Sequence, residues 1–161
     1  MKSWLIILVV TMALSSSLWA EDRPFSNIIP TRLFMQLDGF RPQYSVELKE
    51  GLVVYKYRVG MESAVKTISI RPGKEAWSLF IKEINAAKLY RWTKLYADWN
   101  VLDGTHWSID LEIDGRKIHS EGYNNYPLDG DEAKPRNSPE GSLAFDRLCL
   151  AVSHLIGQEF R

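Results

Sequence analysis

Between Trp107 and Tyr123 apolar and polar residues alternate on both sides of Asp114-Gly115, a pattern that admits little other than an antiparallel hairpin. Trp107, Ile109, Leu111 and Ile113 take one face and Ser108, Asp110 and Glu112 the other, as in a strand with one side buried. Asp and Gly both tolerate the positive φ that the centre of a type I′ turn demands. A two-residue turn fixes the register. Ile113 then faces Arg116, Glu112 faces Lys117, Leu111 faces Ile118, Asp110 faces His119 and Ser108 faces Glu121. The pairs Glu112 with Lys117 and Asp110 with His119 attract, so turn chemistry, alternation and cross-strand charge agree.

The segments around this hairpin extend the same architecture. Thr31 to Leu37 reads as a strand, and Tyr44 to Leu48 alternates before a turn at Glu50-Gly51 and a β-branched, aromatic run from Leu52 to Val59. That second hairpin closes through either a two-residue turn or a three-residue loop, Lys49-Glu50-Gly51, with a bulge. Val65 to Ile70 is a further strand, and a helix runs from Lys74 to about Lys88 with Trp77, Phe80, Ile81 and Ile84 inward and Glu75, Lys82 and Asn85 outward. Arg91 to Asn100 fits neither strand nor loop cleanly. Leu128 to Ser138 has the composition of a long polar loop. The last helix is expected from an N-cap at Ser138, with Pro139 in its first position, to about Ile156, ended by Gly157. Phe145, Leu148, Cys149, Val152 and Ile156 form its inner stripe, which makes the lone Cys149 a packed residue, while Arg147, Ala151 and His154 fall on the other side. The expected fold is α+β: an antiparallel sheet from two hairpins with two amphipathic helices on one face. The likeness of Tyr44-Ser45-Val46-Glu47-Leu48 to Trp107-Ser108-Ile109-Asp110-Leu111 is consistent with a duplicated sheet-plus-helix unit.

Met1 to Ala20 has the layout of a secretory signal peptide: Lys2, an apolar core from Trp4 to Leu14, serines, then Leu18-Trp19-Ala20. Cleavage is expected after Ala20, with Ser17 as the alternative, and the apolar core is too short to span a bilayer. Glu21 to Pro30 reads as a flexible arm, and residues 31–161 as one domain. The expected location is therefore periplasmic or secreted, without membrane attachment after cleavage. Of 20 basic and 20 acidic residues, the leader holds one, Lys2, so the remainder is nearly neutral and gives no electrostatic reason to expect nucleic acid.

Two groups of residues offer a site. On the wet face of the central hairpin, His106, Asp110, His119, Glu121 and Tyr123 project to one side, and Asp110 can orient the His119 imidazole for proton transfer. Neither a GxSxG elbow nor a catalytic Cys signature accompanies them. His106 and Asp110 lie about 13 Å apart along a strand, too far to share one ion, and Asp129-Gly130-Asp131-Glu132 lacks the spacing of a calcium loop. No metal or other cofactor is expected. The second group is aromatic and amide-rich: Trp92, Tyr96, Trp99 and Trp107, then Tyr123, Asn124, Asn125 and Tyr126. Trp77 and Trp107 belong to the core by periodicity. Trp99, Tyr123, Asn124, Asn125 and Tyr126 remain candidates to stack on and hydrogen-bond a sugar or to anchor a protein.

The run Val101-Leu102-Asp103-Gly104-Thr105-His106-Trp107, the Asp114-Gly115 turn, and Gly122-Tyr123-Asn124-Asn125-Tyr126-Pro127 ahead of a helix near Phe145 resemble a family of small exported bacterial domains. That family has no established activity to carry over, and the polar insertion from Leu128 to Gly141 departs from its pattern. The expectation is a binding module for a protein or a glycan, using the open sheet face and the Tyr123 to Pro127 loop. A small hydrolase using Asp110, His119 or Glu121 is the competing class, and an inhibitor or immunity protein is a special case of the first. Oligomeric state is not legible.

Overall fold

The computed structural model describes residues 23–26, 29–39, 43–58, 60, 62–100, 104–128 and 142–160. The leader, the proposed cleavage site, the loop at 129–141 and the expected cap at Ser138 lie outside the described residues. Within them, seven strands form one mixed sheet: β1 (Arg32–Asp38), β2 (Gln43–Lys49), β3 (Leu52–Arg58), β4 (Lys66–Ile70), β5 (Leu95–Ala97), β6 (His106–Ile113) and β7 (Arg116–Tyr123). Their order across the sheet is β4-β3-β2-β1-β6-β7-β5. Two helices, α1 (Lys74–Ala86) and α2 (Leu143–Ile156), complete an α+β fold.

The central hairpin has the register its turn dictates, with Asp110 opposite His119 and Leu111 opposite Ile118. Asp114 and Gly115 take φ of 54° and 71°, the two positive values of a type I′ turn. The earlier hairpin turns in the same way: Lys49 pairs with Leu52, and Glu50 and Gly51 have φ of 52° and 77°, so the bulged three-residue loop is excluded. The sheet departs from two joined hairpins in two respects. β1 lies between them, antiparallel to β2 on one edge and to β6 on the other. Leu95 to Ala97, in the stretch of unassigned character, forms β5 and pairs parallel to β7. The two parts are also unequal, since β4 extends the first hairpin in an antiparallel meander while β5 borders the second.

Strand alternation sends Leu33, Met35, Val46, Val53, Tyr55, Trp107, Ile109 and Leu111 to one face, where they join Trp77, Phe80, Ile81 and Ile84 of α1 and Phe145, Leu148 and Val152 of α2 in a continuous core. Cys149 is buried there, as its helical spacing implies. Removing side chains such as Trp107 and Phe145 from water stabilises the fold by about 2 to 3 kcal/mol each, so this face is the main source of stability. The helix faces differ from expectation in three places. Ala151 is fully buried, Arg147 donates to the buried Glu83 of α1 at 2.8 Å, and Asn85 points inward to the N-terminal arm. α2 starts at Leu143, capped by Ser142, whose hydroxyl oxygen accepts from Phe145 N–H at 3.2 Å and donates to Pro127 C=O at 2.6 Å. Gly157, with φ of 69°, ends it as expected.

The described part of the arm, residues 23–26 and 29–30, has no regular structure but is held. Phe25 is buried edge-on to Tyr90 beneath the Arg116 guanidinium, and it exchanges backbone hydrogen bonds with the Asn85 amide at 2.7 and 2.9 Å. Ser26 donates through its N–H and its hydroxyl to the Asp114 carboxylate. A ring buried among apolar neighbours and two charge-assisted bonds replace the fraying expected of two prolines and a polar sequence. No helix among the described residues is long and apolar enough to cross a membrane.

Candidate functional site

Because both helices pack on one side of the sheet, the other side carries every second residue of every strand with no helix over it among the described residues. Three cross-strand rows define it. The middle row runs Thr67, Lys56, Ser45, Gln36, Ser108, Glu121 and Leu95 from β4 to β5. One flanking row holds Val54, Glu47, Phe34, Asp110 and His119, and the other Arg58, Gln43, Asp38, His106, Tyr123 and Ala97. His106, Asp110, His119, Glu121 and Tyr123 therefore share one face, as the hairpin register requires.

On the β6–β7 part of this face the charged groups pair with one another, although the buried His106 Nε2 makes no hydrogen bond among the described residues. His119 Nδ1 lies 2.9 Å from Asp110 Oδ1, and Arg32 approaches the other carboxylate oxygen at 3.9 Å. Lys117 and Glu112 are 3.8 Å apart, as are His106 Nε2 and Glu121. Pairs this exposed contribute roughly 0 to 1 kcal/mol each. His106 Nδ1 is 3.5 Å from the Gln36 amide nitrogen, at the limit of a hydrogen bond. The His106 ring stacks on Tyr123 with centroids 4.4 Å apart, and Tyr123 stacks on Trp99 at 5.3 Å. Trp99 is 70% exposed. Its position follows from the end of β5: Asp98 N–H donates to Tyr123 C=O, and the Asp98 carboxylate accepts from Asn100, which turns the chain so that Trp99 folds over Tyr123.

The Tyr123 to Pro127 loop separates into two roles. Asn124, at φ of 54°, closes the mouth of the hairpin, its N–H donating to Thr105 C=O and its Oδ1 accepting from Thr105 N–H at 2.8 Å. A side chain at Gly104 would collide with that amide, which is why the strand entrance needs glycine. Asn125 and Tyr126 leave the candidate set, being only 2% and 1% exposed. The Asn125 amide spans Ala97 C=O and Tyr126 N–H, and its backbone oxygen accepts from the Trp107 indole at 2.9 Å. Tyr126 packs against Trp107 and Phe145. These two residues hold the loop to the core and offer a ligand nothing.

The structure adds a feature on the other half of the face. Over β1, β2 and β3 lies an open hollow of about 220 Å³, with Phe34, Gln36, Asp38, Gln43, Lys56 and Arg58 around it. Ser45 makes it, a short side chain in the middle row between Gln36 and Lys56. Phe34 is the ridge between this hollow and a second of about 440 Å³ beside Arg32, Glu47 and Asp110. Arg58 Nε is buried without a hydrogen-bond partner. Beneath the hollow, burial raises the Tyr44 phenol, with Glu159 adding to the effect, and pushes Tyr55 up to about 12, with Tyr44 and Tyr57 adding. Both phenols stay neutral near pH 7, so neither supplies negative charge to Lys56 and Arg58.

Among the described residues no three His, Cys, Asp or Glu side chains converge as metal ligands. Comparison with protein-family models, curated proteins and solved structures finds no match for this chain. The wet face of the β6–β7 hairpin was legible from alternation; the hollow was not, because it requires β1 to lie beside β2 and β6. The one local signal for it is Ser45, a small polar residue in a strand face otherwise filled with long side chains.

Proposed function

We propose that this protein is an exported binding module that holds a glycan chain across the helix-free face of its sheet. The observation that carries this reading is the stack at one end of that face, where the exposed Trp99 rests on Tyr123 and Tyr123 on His106. An aromatic ring offers a flat apolar surface with a fixed orientation, suited to the C–H face of a sugar, and Glu121, Gln36, Ser45 and Lys56 of the middle row lead away from it with donors and acceptors for hydroxyls. A stable protein interface needs a contiguous apolar centre, whereas the exposed large apolar side chains here, Val65, Leu95 and Trp99, sit towards opposite ends of the sheet. The hydrolase reading retains the Asp110–His119 pair, but Asp110 also faces Arg32 and no hydroxyl or thiol among the described residues is hydrogen-bonded to the imidazole. Export rests on the leader in the sequence, and the resemblance to small exported domains brings no activity with it.

The test is affinity electrophoresis of the native protein and a Trp99→Ala variant through gels containing soluble neutral and acidic polysaccharides. At least one polysaccharide should retard the native protein, and the variant should bind it about tenfold more weakly, the loss of roughly 1.4 kcal/mol of stacking. Free migration in every gel, or equal retardation of the variant, would overturn the reading.

A further inference from the structure

Charges on the open face fall into two sets. Asp110 with His119 and Arg32, Glu112 with Lys117, His106 with Glu121, and Glu47 with Lys49 are paired within the chain. Asp38, Lys56 and Arg58 are not: among the described residues, their side chains make neither an ion pair nor a hydrogen bond. All three border the same hollow. The register places Arg58 and Asp38 in one row, two strands apart with Gln43 between them, so their backbones are roughly 10 Å apart. That separation leaves room for a small molecule carrying negative charge at one end and donors at the other. The Lys56 ammonium and the Arg58 guanidinium at the border of the hollow offer charge-assisted donors to a carboxylate.

The remaining walls narrow the chemistry. Phe34 supplies one ring at the end of the hollow, Gln36 and Gln43 supply planar amides that donate and accept, and Asp38 accepts only. A ring with an apolar face, several hydroxyls and one carboxylate matches this set. We infer that the hollow is the subsite for a sugar acid within the bound glycan. Its carboxylate faces Lys56 and Arg58, its hydroxyls face Gln36, Gln43 and Asp38, and its ring lies against Phe34. This rests on the glycan-binding reading of the same face. Arg58 is four strands from Tyr123, roughly 19 Å, so the stack and the hollow contact different units of one chain.

The experiment is a titration of the isotope-labelled protein, followed by amide chemical shifts, with four probes: D-glucuronate, D-galacturonate, methyl α-D-glucoside and acetate. One uronate should bind saturably, moving amides of Gln36, Gln43, Ser45 and Lys56, at least tenfold more tightly than acetate or the neutral glycoside. Arg58→Gln and Lys56→Gln should each weaken it at least fivefold while leaving the spectrum of a folded protein. Lys82→Gln, on the exposed side of α1 and across the sheet from the hollow, should leave uronate affinity unchanged. Acetate binding as tightly as the uronate would reduce the hollow to a general anion site and overturn the inference. Equal binding of the neutral glycoside, or absence of uronate binding at 20 mM, roughly twenty times a millimolar dissociation constant, would overturn it too. Retention of the protein by a neutral polysaccharide, lost in Trp99→Ala, together with no uronate binding, would leave the module reading standing and remove the sugar-acid subsite alone.

Discussion

The two hairpins share a turn and differ in what surrounds it. β2–β3 and β6–β7 each reverse through two residues of positive φ, and each puts a row of charged side chains on the open face. Around β6–β7 those charges are answered by the chain itself: Asp110 by His119, Glu112 by Lys117, and Asp114 in the turn by Ser26 and Arg116. Around β2–β3, Lys56 and Arg58 border a hollow with no answering carboxylate bonded to them among the described residues. The hairpin with the more suggestive residues is thus the more self-contained in its ion pairs, although the buried His106 Nε2 and Arg116 Nε and Nη2 have no hydrogen-bond partner among the described residues. Charges left without an opposite charge, rather than chemical richness, point to where a ligand belongs.

The largest expected effect tests whether the self-contained hairpin is core on one side and dispensable on the other. Leu111→Ala should cost about 2 to 5 kcal/mol in denaturant unfolding, since it empties space in the core, while Asp110→Ala on the opposite face should cost less than about 1. Near-equal costs would erase the distinction between the two faces.

A smaller effect concerns the pinned turn. Burial alone would raise the Asp114 carboxyl, but hydrogen bonds from Ser26 and the nearby Arg116 and Arg23 outweigh it and hold the group below its usual value. A carboxyl depressed in the folded state adds stability above its unfolded value, about 3.9, and loses it as pH falls through the lower folded value. Ser26→Ala should therefore cost about 1 kcal/mol near neutrality and flatten the acid limb of a stability profile below about pH 4. An unchanged acid limb would mean that the arm does not couple to the turn.

The smallest effect is the most diagnostic for the open hairpin. Arg58→Gln should leave the melting temperature unchanged or slightly higher, within about 0.5 kcal/mol, because no bond is lost and a desolvated charge is removed. Asp110→Asn should lower it slightly, leaving His119 and Arg32 without their partner. A clear loss on Arg58→Gln would show that its guanidinium is structural and that the two hairpins do not differ as described.

What could be read from the residues alone follows the range of the forces involved. The β6–β7 register needed only a turn and its flanks, both local, so Asp110 opposite His119 was accessible from the sequence. The place of β1 between the hairpins depends on pairing with partners far along the chain, and β5 is too short, at three residues, to show a period. Ser138 and Ser142 both suit a helix start; Ser142 caps α2 because its hydroxyl also reaches Pro127, a tertiary contact. Asn125 reads as an exposed loop amide because nothing nearby in sequence announces that the Trp107 indole takes its backbone oxygen. The arm carried a readable hint, since Phe25 is an aromatic residue among polar ones and aromatic rings tend to be covered.

The central position of β1 also constrains the order in which the sheet can be assembled. β1 to β4 form a meander of neighbours, whereas Gln36 of β1 meets His106 of β6 across 70 residues of sequence. Contacts of such separation carry a larger loop-closure entropy and form slowly compared with hairpins. Any route that pairs β1 with β2 first leaves the other side of β1 as an open edge, carrying Leu33, Met35 and Leu37, until the β6–β7 hairpin arrives. A chain synthesised from its N-terminus exposes that edge for as long as residues 106–123 trail behind it. The strand that joins the two hairpins in the finished sheet is therefore an unprotected edge while the molecule is being made.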